Sequence, residues 1–473
     1  MSFQIVLLWS DALLFVLIAA IVGLALWARR QDALRAAWGR VLKDGVAMAA
    51  ATVLAVFVLI GLLDSLHYRA RLEAQPGAAA RYAVEVNSAL DALLSDLRQR
   101  GEKTYSAPLA THLFAKEALE NSTQREFPRL KHGGAHLGQD LSGHEFDIAL
   151  RLSRGLAAAL AVWLALVALV SRTRKQEFMA VLRVMRSGIP GDGAGNDPKV
   201  VQSKATGAVL VALLAILLLF GVALSLGGGY HVFGTDKVGQ DVLYLSLKSI
   251  RTGLLIGTLT TLVMLPLAVL LGILAGYVGG WVDDLIQYLY TTLSSIPGVL
   301  LIAAAVLMMQ VIIDTHPQWF ATSAERADAR LLALCLILGM TSWTGVARLL
   351  RGETLKLREL EFVQAAQAFG VGRFAIMRRH ILPNLMHIVL IALVMDFSGL
   401  VLAEAVLSYV GVGVDPTTIS FGTMINTARM ELAREPMVWW SLAAAFSFMF
   451  ALVLAANLFA DAVRDAFDPR SST

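Results

Sequence analysis

Residues 348–383 read RLLRGETLKLRELEFVQAAQAFGVGRFAIMRRHILP, a basic stretch of about 35 residues between two apolar ones. From Leu357 to Phe369 it is rich in strong helix formers and holds no breaker. Gly370 suits the left-handed position that ends a helix. A second short helix is predicted over Arg373–His380, and Pro383 is expected to reset the chain as the next apolar run begins. With Ala365, Ala366, Ala368 and Gly370 at the turn, this is a small-residue helix–turn–helix knuckle. A groove in a partner protein can grip such a shape. An ordinary surface connector has the same features.

The apolar stretches around the knuckle set the class of the chain. Of 473 residues 57% are hydrophobic and 16% charged, against roughly 25% charged in soluble domains. Mean hydropathy is +0.65. The apolar residues come in blocks of about twenty, the length an α-helix needs to cross some 30 Å of hydrocarbon. The expected fold is therefore an all-α integral membrane protein with about nine transmembrane helices. These fall near 5–27, 46–63, 149–170, 206–226, 252–276, 283–310, 331–349, 384–409 and 437–460. The span at 283–310 is long enough to tilt, or to break near Pro297. Residues 5–27 are too long for a cleavable signal, and their positive charges (Arg29, Arg30) follow rather than precede, so they read as a retained span.

Lys and Arg cluster in three loops, after the first expected span and before the fourth and the eighth. Alternating crossings put all three on one side, which is the cytoplasm by the positive-inside rule. The N-terminus is then predicted outside and the C-terminus cytoplasmic. Residues 64–148 form an extracytoplasmic insert, expected to be small and mostly helical. Its signals are an apolar face at Val86, Leu90, Leu93, Leu94 and Leu97, and Pro108 placed to open a second helix. SGIPGDGAGNDP (187–198) reads as a linker, which gives an N-terminal extension at 1–200 and a second domain at 201–473. Net charge is +4, and no basic stretch is interleaved with stacking aromatics, so no nucleic acid is expected as a partner. The one cysteine, Cys335, excludes an internal disulfide or a CxxC site.

Four stretches carry a resemblance. Gln364-Ala365-Ala366 with Gly370, followed by His380-Ile381-Leu382-Pro383, is similar to the coupling-loop motif E-A-A-x-x-x-G … I-x-L-P of ABC-transporter permeases, with Gln364 in place of the glutamate. GTDKVGQDVL (234–243), GYVGGWVDDLIQ (276–287), and LAEAVLSYVGVGVDP (402–416) with DAVRDAFDPR (461–470) resemble the dipeptide/oligopeptide/nickel branch, in its second, C-type permease. Gln240, Leu245 and Ser249 depart from that pattern, and residues 1–200 match nothing in it. The resemblance implies a six-span permease core that imports di- or oligopeptides, or similar small solutes, across the bacterial cytoplasmic membrane by alternating access. It implies as partners a homologous permease, one or two ABC ATPase subunits, an extracytoplasmic binding protein and membrane lipid. The ATPase-coupling loop (350–383) would act through Glu361, Gln364, Ala365, Ala366, Gly370, Leu382 and Pro383. The outer-face motif would comprise Gly234, Thr235, Asp236, Asp241 and Arg251.

The chain itself does not read as an enzyme. It has no G-x-x-x-x-G-K-[ST] phosphate loop and no nucleophile-plus-base signature. No cofactor is expected in this chain, and ATP with Mg²⁺ belongs to the partner subunits. Asp396 falls near the middle of the eighth span, where a carboxylate costs at least about 2.5 kcal/mol unless paired or hydrated. It either lines the translocation path and meets a cationic group such as a peptide amine, or bonds to a neighbouring helix or the partner permease. Glu404, in the L-A-E-A stretch, is read as a permease–permease interface residue or as a substrate contact. His132, His136 and His144, with Asp140, Glu145 and Asp147, are the metal candidates, but their spacing matches no standard site, so no metal is expected. Two other classes stay open. An ion-coupled secondary transporter would use Asp396 and show an inverted repeat. A membrane receptor would use 64–148 as its sensor.

Overall fold

A computed structural model describes residues 3–30, 32–72, 82–118, 125–138, 142–174, 198–320 and 322–467. In chain order the elements are β1 (Phe3–Val6), α1 (Trp9–Ala28), α2 (Asp32–Val41), α3 (Gly45–Asp64), β2 (His67–Ala70), β3 (Asn87–Ser88), α4 (Ala89–Leu93), α5 (Ser95–Gln99), β4 (Glu117–Ala118), β5 (Arg125–Glu126) and α6 (His144–Arg174). There follow α7 (Pro198–Gly227), α8 (Val242–Val278), α9 (Gly280–Ser295), α10 (Gly298–Thr315), α11 (Ser323–Arg358), α12 (Glu361–Ala368), α13 (Arg373–Ile376), α14 (Leu382–Val410), α15 (Phe421–Glu431) and α16 (Trp440–Phe467).

Among the described residues eight helices are long and apolar enough to cross a membrane: Gly45–Asp64, His144–Arg172, Ala205–Gly227, Val242–Val278, Gly298–Thr315, Ser323–Arg358, Arg373–Val410 and Trp440–Phe467. A shorter apolar helix, Trp9–Gly23, stands where the first span was expected. Of the two forms expected for 283–310 the chain takes the broken one: α9 and α10 part at Ile296-Pro297, because the residue before proline is forced out of the α region. One expected boundary moves: the first helix starts at Trp9, because Phe3–Val6 is a strand instead.

β1 pairs antiparallel with β2, Phe3 opposite Ala70 and Val6 opposite His67. The residues before α1 and those after α3 are therefore held side by side. The described residues of the insert are not mostly helical: they hold short strands and two five-residue helices. Ser88 and Asp91 form a reciprocal capping box that starts α4, but Leu94 leaves helical geometry and splits the expected amphipathic helix in two. Pro108 enters a turn rather than a helix, with Leu109 at a φ of 58°.

The chain forms two compact units that do not divide at residue 200. The first comprises 1–6, 28–252 and 419–462. Within it α7 packs against α3 and α6. Glycines let the backbones of α6 and α7 nearly touch. A Cβ on Gly155 would lie 2.6 Å from the Gly221 carbonyl oxygen, and one on Gly221 would lie 2.7 Å from that of Gly155. Such small-residue contacts drive helix association where lipid offers no hydrophobic gain. Ser225 Oγ donates to the Arg151 carbonyl (2.6 Å) and Trp163 Nε1 to that of Leu210 (2.9 Å), closing the same seam.

The second unit comprises 7–27, 253–418 and the C-terminal end from 463. Its core gathers Met264 and Ala268 of α8, Ile286 and Tyr290 of α9, Trp343 and Leu350 of α11, and Leu385 and Val389 of α14. Gly272 and Gly276, four apart on one face of α8, lie against Ala347 and Thr354 of α11. Ser10, in the first turn of α1, donates its backbone N–H (3.1 Å) and its hydroxyl to the buried Asp328 carboxylate of α11. Replacing Gly221 by Leu should overpack the α6–α7 seam and lower stability by about 1–3 kcal/mol. Gly345→Ala, with no atom within 4 Å of the new Cβ, should leave it unchanged. Tryptophan-monitored unfolding in detergent reads both.

Candidate functional site: the coupling loop and the outer-face turn

The knuckle forms, and it is part of the second unit's core. Val363 and Ala366 of α12 are buried with Tyr277, Ile376 and Ile381. Glu361, Gln364, Ala365 and Gly370 are exposed. Gly370 has a φ of 77° and ends the helix in a Schellman arrangement, with Gly370 N–H bonded to the Gln367 carbonyl (2.9 Å) and Val371 N–H to that of Ala366 (3.1 Å). Gln364 turns its side-chain amide back to the Glu359 carbonyl (3.2 Å). Two contacts tie the loop to the GYVGGWVDD turn. Gln367 Nε2 donates to Tyr277 Oη (3.2 Å), and Arg351 holds Asp283 in a bidentate pair at 2.6 and 2.7 Å.

The expected break at Pro383 does not occur. α13 runs through a π turn, Met377–Ile381, straight into α14. Pro383 has no amide hydrogen for the Arg379 carbonyl. The wider turn accommodates this by bonding Leu382 N–H to the Met377 carbonyl, while Asn384 Nδ2 serves the His380 carbonyl at 2.6 Å. Leu382 and Pro383 thus sit inside one helical run from Arg373 to Val410.

The aromatics Phe362, Phe369 and Phe374 are also exposed on the knuckle, Phe369 at 87%. Their signal in the sequence is phenylalanine on both sides of Gly370, at 369 and 374.

The residues expected at the outer face lie in the first unit, in a tight turn that launches α8. Asp236 Oδ1 accepts the N–H groups of Val238 (2.9 Å) and Gln240 (2.8 Å). Asp241 caps α8, its Oδ1 accepting from Leu243 (2.9 Å) and Tyr244 (3.3 Å). Thr235 is fully buried, its hydroxyl bonded to the Thr104 carbonyl (2.8 Å) and its own carbonyl accepting from Trp440 Nε1 (2.9 Å). Gly234 has a φ of 68°, and a Cβ there would stand 2.3 Å from the Ser106 carbonyl oxygen. Arg251 Nε donates to Ser65 Oγ at 3.1 Å. The insert thus packs directly on this turn, which nothing in the sequence announced.

The remaining candidates separate. His136 pairs with Asp147 (2.7 Å), His144 donates to the Leu109 carbonyl (3.1 Å), and the backbone of His132 donates to Glu102 (2.7 Å). Among the described residues no group of three or more His, Cys, Asp or Glu has metal-holding geometry, and Asp140 lies outside them. Asp396 and Glu404 are both on α14. Glu404 is buried and accepts from Ser408 Oγ at 2.7 Å. Asp396 Oδ2 is buried, and no donor among the described residues reaches it.

Multiple apolar helices and close glycine crossings define a multi-pass membrane protein. Comparison with known proteins makes the class specific. Residues 268–473 match the family model "Binding-protein-dependent transport system inner membrane component". The oligopeptide transport system permease protein OppC of Mycobacterium bovis is 31% identical over 252 residues, 53% of this chain and 80% of that protein. The dipeptide transport system permease protein DppC of Lactococcus lactis is 30% identical over 51% of this chain and 64% of its own length. The glutathione transport system permease protein GsiD of Pectobacterium atrosepticum is 31% identical over 51% and 73%. The chain belongs to the ABC-importer permease family, in the C-type branch that includes OppC and DppC, and is a multi-pass inner-membrane subunit.

The Arg351–Asp283 pair is bidentate and under one-quarter exposed. A double-mutant cycle with Arg351→Ala and Asp283→Ala should give a coupling of about 1–3 kcal/mol. Additive losses in detergent unfolding would mean the pair holds nothing.

Proposed function

We propose that this chain is one half of a permease heterodimer that carries di- or oligopeptides inward, driven by ATP hydrolysis on partner subunits docked at residues 350–383. The observation that carries this reading is the knuckle itself. One face of α12 is sealed into the core by Val363 and Ala366, and the other presents Phe362 and Phe369 outward. Beyond the turn, the helix carrying Phe374 continues without interruption into α14. A push on the exposed face therefore moves a spanning helix. ATP and Mg²⁺ act on the partner ATPases, and a binding protein delivers substrate on the outer side. The coupling loop and C-terminus face the cytoplasm. The N-terminus and the insert 64–148 face outward, a reading supported by the β1–β2 pairing, which requires both on one side. Residues 1–200 are an extension added to the permease region 201–473.

Purification in mild detergent should recover a second permease and one or two Walker-motif ATPases. Recovery of the chain alone, intact, would overturn the reading. Phe369→Asp should weaken ATPase retention by about 2 kcal/mol or more, roughly 30-fold. Gly370→Ala meets no atom within 4 Å, so its cost is the left-handed backbone alone, about 1–2 kcal/mol. It should reduce substrate-stimulated ATP hydrolysis while leaving the protein in the membrane.

Asp396 serves in this reading as a translocation-path residue that receives the ammonium of a peptide N-terminus, since its unpartnered oxygen lies within an apolar span. Glu404, buried and bonded to Ser408, acts structurally on the same helix. Asp396→Asn should reduce uptake of a free dipeptide and spare its N-acetylated form. Equal uptake of both at the native rate would remove Asp396 from the path.

A further inference from the structure

A buried polar cluster that the transport reading does not use joins the insert to the turn before α8. His231 Nδ1 donates to Asp241 Oδ2 at 2.8 Å, and Nε2 faces Glu102 Oε1 at 3.4 Å. All three side chains are at most 3% exposed. With a carboxylate on each side, the imidazole carries both protons. Each carboxylate also has a second task. Asp241 caps α8 through its other oxygen. Glu102 accepts the backbone N–H groups of Lys131 (2.8 Å), His132 (2.7 Å) and Gly133 (3.2 Å), gathering a loop of the insert around itself. The backbones meet as well. Glu102 N–H donates to the Gly239 carbonyl at 2.9 Å, and a Cβ on Gly239 would lie 1.8 Å from the Glu102 carbonyl oxygen.

We infer that Glu102 is a positioning residue: through the His231 imidazolium it fixes the Asp241 carboxylate on the first turn of α8, so that the insert clamps the start of a permease helix. The charged groups facing His231 are Asp241 from its own turn and Glu102 from the insert, with His132 close by and Lys131 and Arg100 around His132. Burial alone would lower the His231 pKa, but the two carboxylates outweigh it and hold it at about 9. Burial would likewise raise Glu102, but His231 and the three backbone donors bring it down to about 2.

The pH window follows from those directions. His231 contributes fully below its ordinary value of 6.5, and its contribution is lost as pH rises through about 9. Glu102 contributes fully above its ordinary 4.5 and is lost as pH falls through about 2. The clamp is complete between 4.5 and 6.5 and persists in part up to about 9.

Hydrogen exchange on the full chain in lipid nanodiscs tests this, following the amides of residues 242–246 after correction for intrinsic rates. In the unaltered protein, protection should fall by at least about fivefold as pH rises from 6.5 through about 9. In Glu102→Gln the fall should move to lower pH by about 1–3 units, because one of the two carboxylates is gone. Glu102→Asp should keep the native midpoint. A native profile flat in pH would overturn the clamp. So would a Glu102→Gln profile lowered at every pH with its midpoint unmoved, since that is what a merely structural glutamate gives. If Glu102→Gln cannot be purified, the native profile alone decides. The readout needs no substrate or ATPase, so its outcome is separable from that of the transport reading.

Discussion

A helix inside hydrocarbon must satisfy every backbone N–H and C=O within itself, because no water is there to do so. The chain between membrane faces is therefore helical, and departures of the backbone are confined to places where a helix starts, stops or is disturbed. The turns that hold Asp241, Gly370 and Gly411 sit at such places. Asp241 starts α8, Gly370 ends α12, and Gly411, with a φ of 87°, ends α14 by the same Schellman pattern that closes α12. The π turn at Met377–Ile381, like Pro266 within α8, is a disturbance kept inside a helical run, and it lies where the knuckle meets α14. Its effect is to make a proline, which ordinarily separates helices, part of a continuous helical run.

Glycine is the second consequence of the same constraint. With lipid as apolar as leucine, helices associate by approaching closely rather than by hiding from water. Gly155 against Gly221, and Gly272 and Gly276 against the Ala347–Thr354 face, are such points of close approach. The first pair joins α6 to α7 within the first compact unit, and the second joins α8 to α11 within the second. Both units are thus packed by the same rule, and α1, through Ser10 and Asp328, belongs to the same unit as α11.

What was legible in the sequence was what local chemistry decides. Apolar run length located the spans, Pro297 marked a break, and Gly370 marked a helix end. The errors share one cause. Val86 to Leu97 carries a helical pattern, yet the Ser88–Asp91 box and Leu94 divide it, and Ser88 Oγ is drawn to Asp64, 24 positions away. Phe3–Val6 looks like the head of an apolar helix until its partner at His67–Ala70 is known. At Pro383 the local preference of proline for a helix break is overridden by packing. Ile376, Ile381 and Leu385 are buried on one face, and a break there would have pulled that face off the core. Glu102 with His231 could not have been found by spacing, since 129 positions separate them.

The departures from the branch pattern become intelligible in the same terms. Gln240 takes part in the turn through its backbone alone, its N–H to Asp236 Oδ1 and its carbonyl accepting from Asp236 N–H. The turn therefore closes whatever side chain stands there. Gln364 likewise uses an amide N–H, which a glutamate lacks, to cap the Glu359 carbonyl. The substitution removes a negative charge from the exposed face of the knuckle and spends the side chain on its own loop. In the docking proposed above, that face offers Phe362, Phe369 and Phe374, with Glu361 the remaining acid of α12. A groove complementary to it is apolar where the aromatics enter, rather than built around a cation facing position 364.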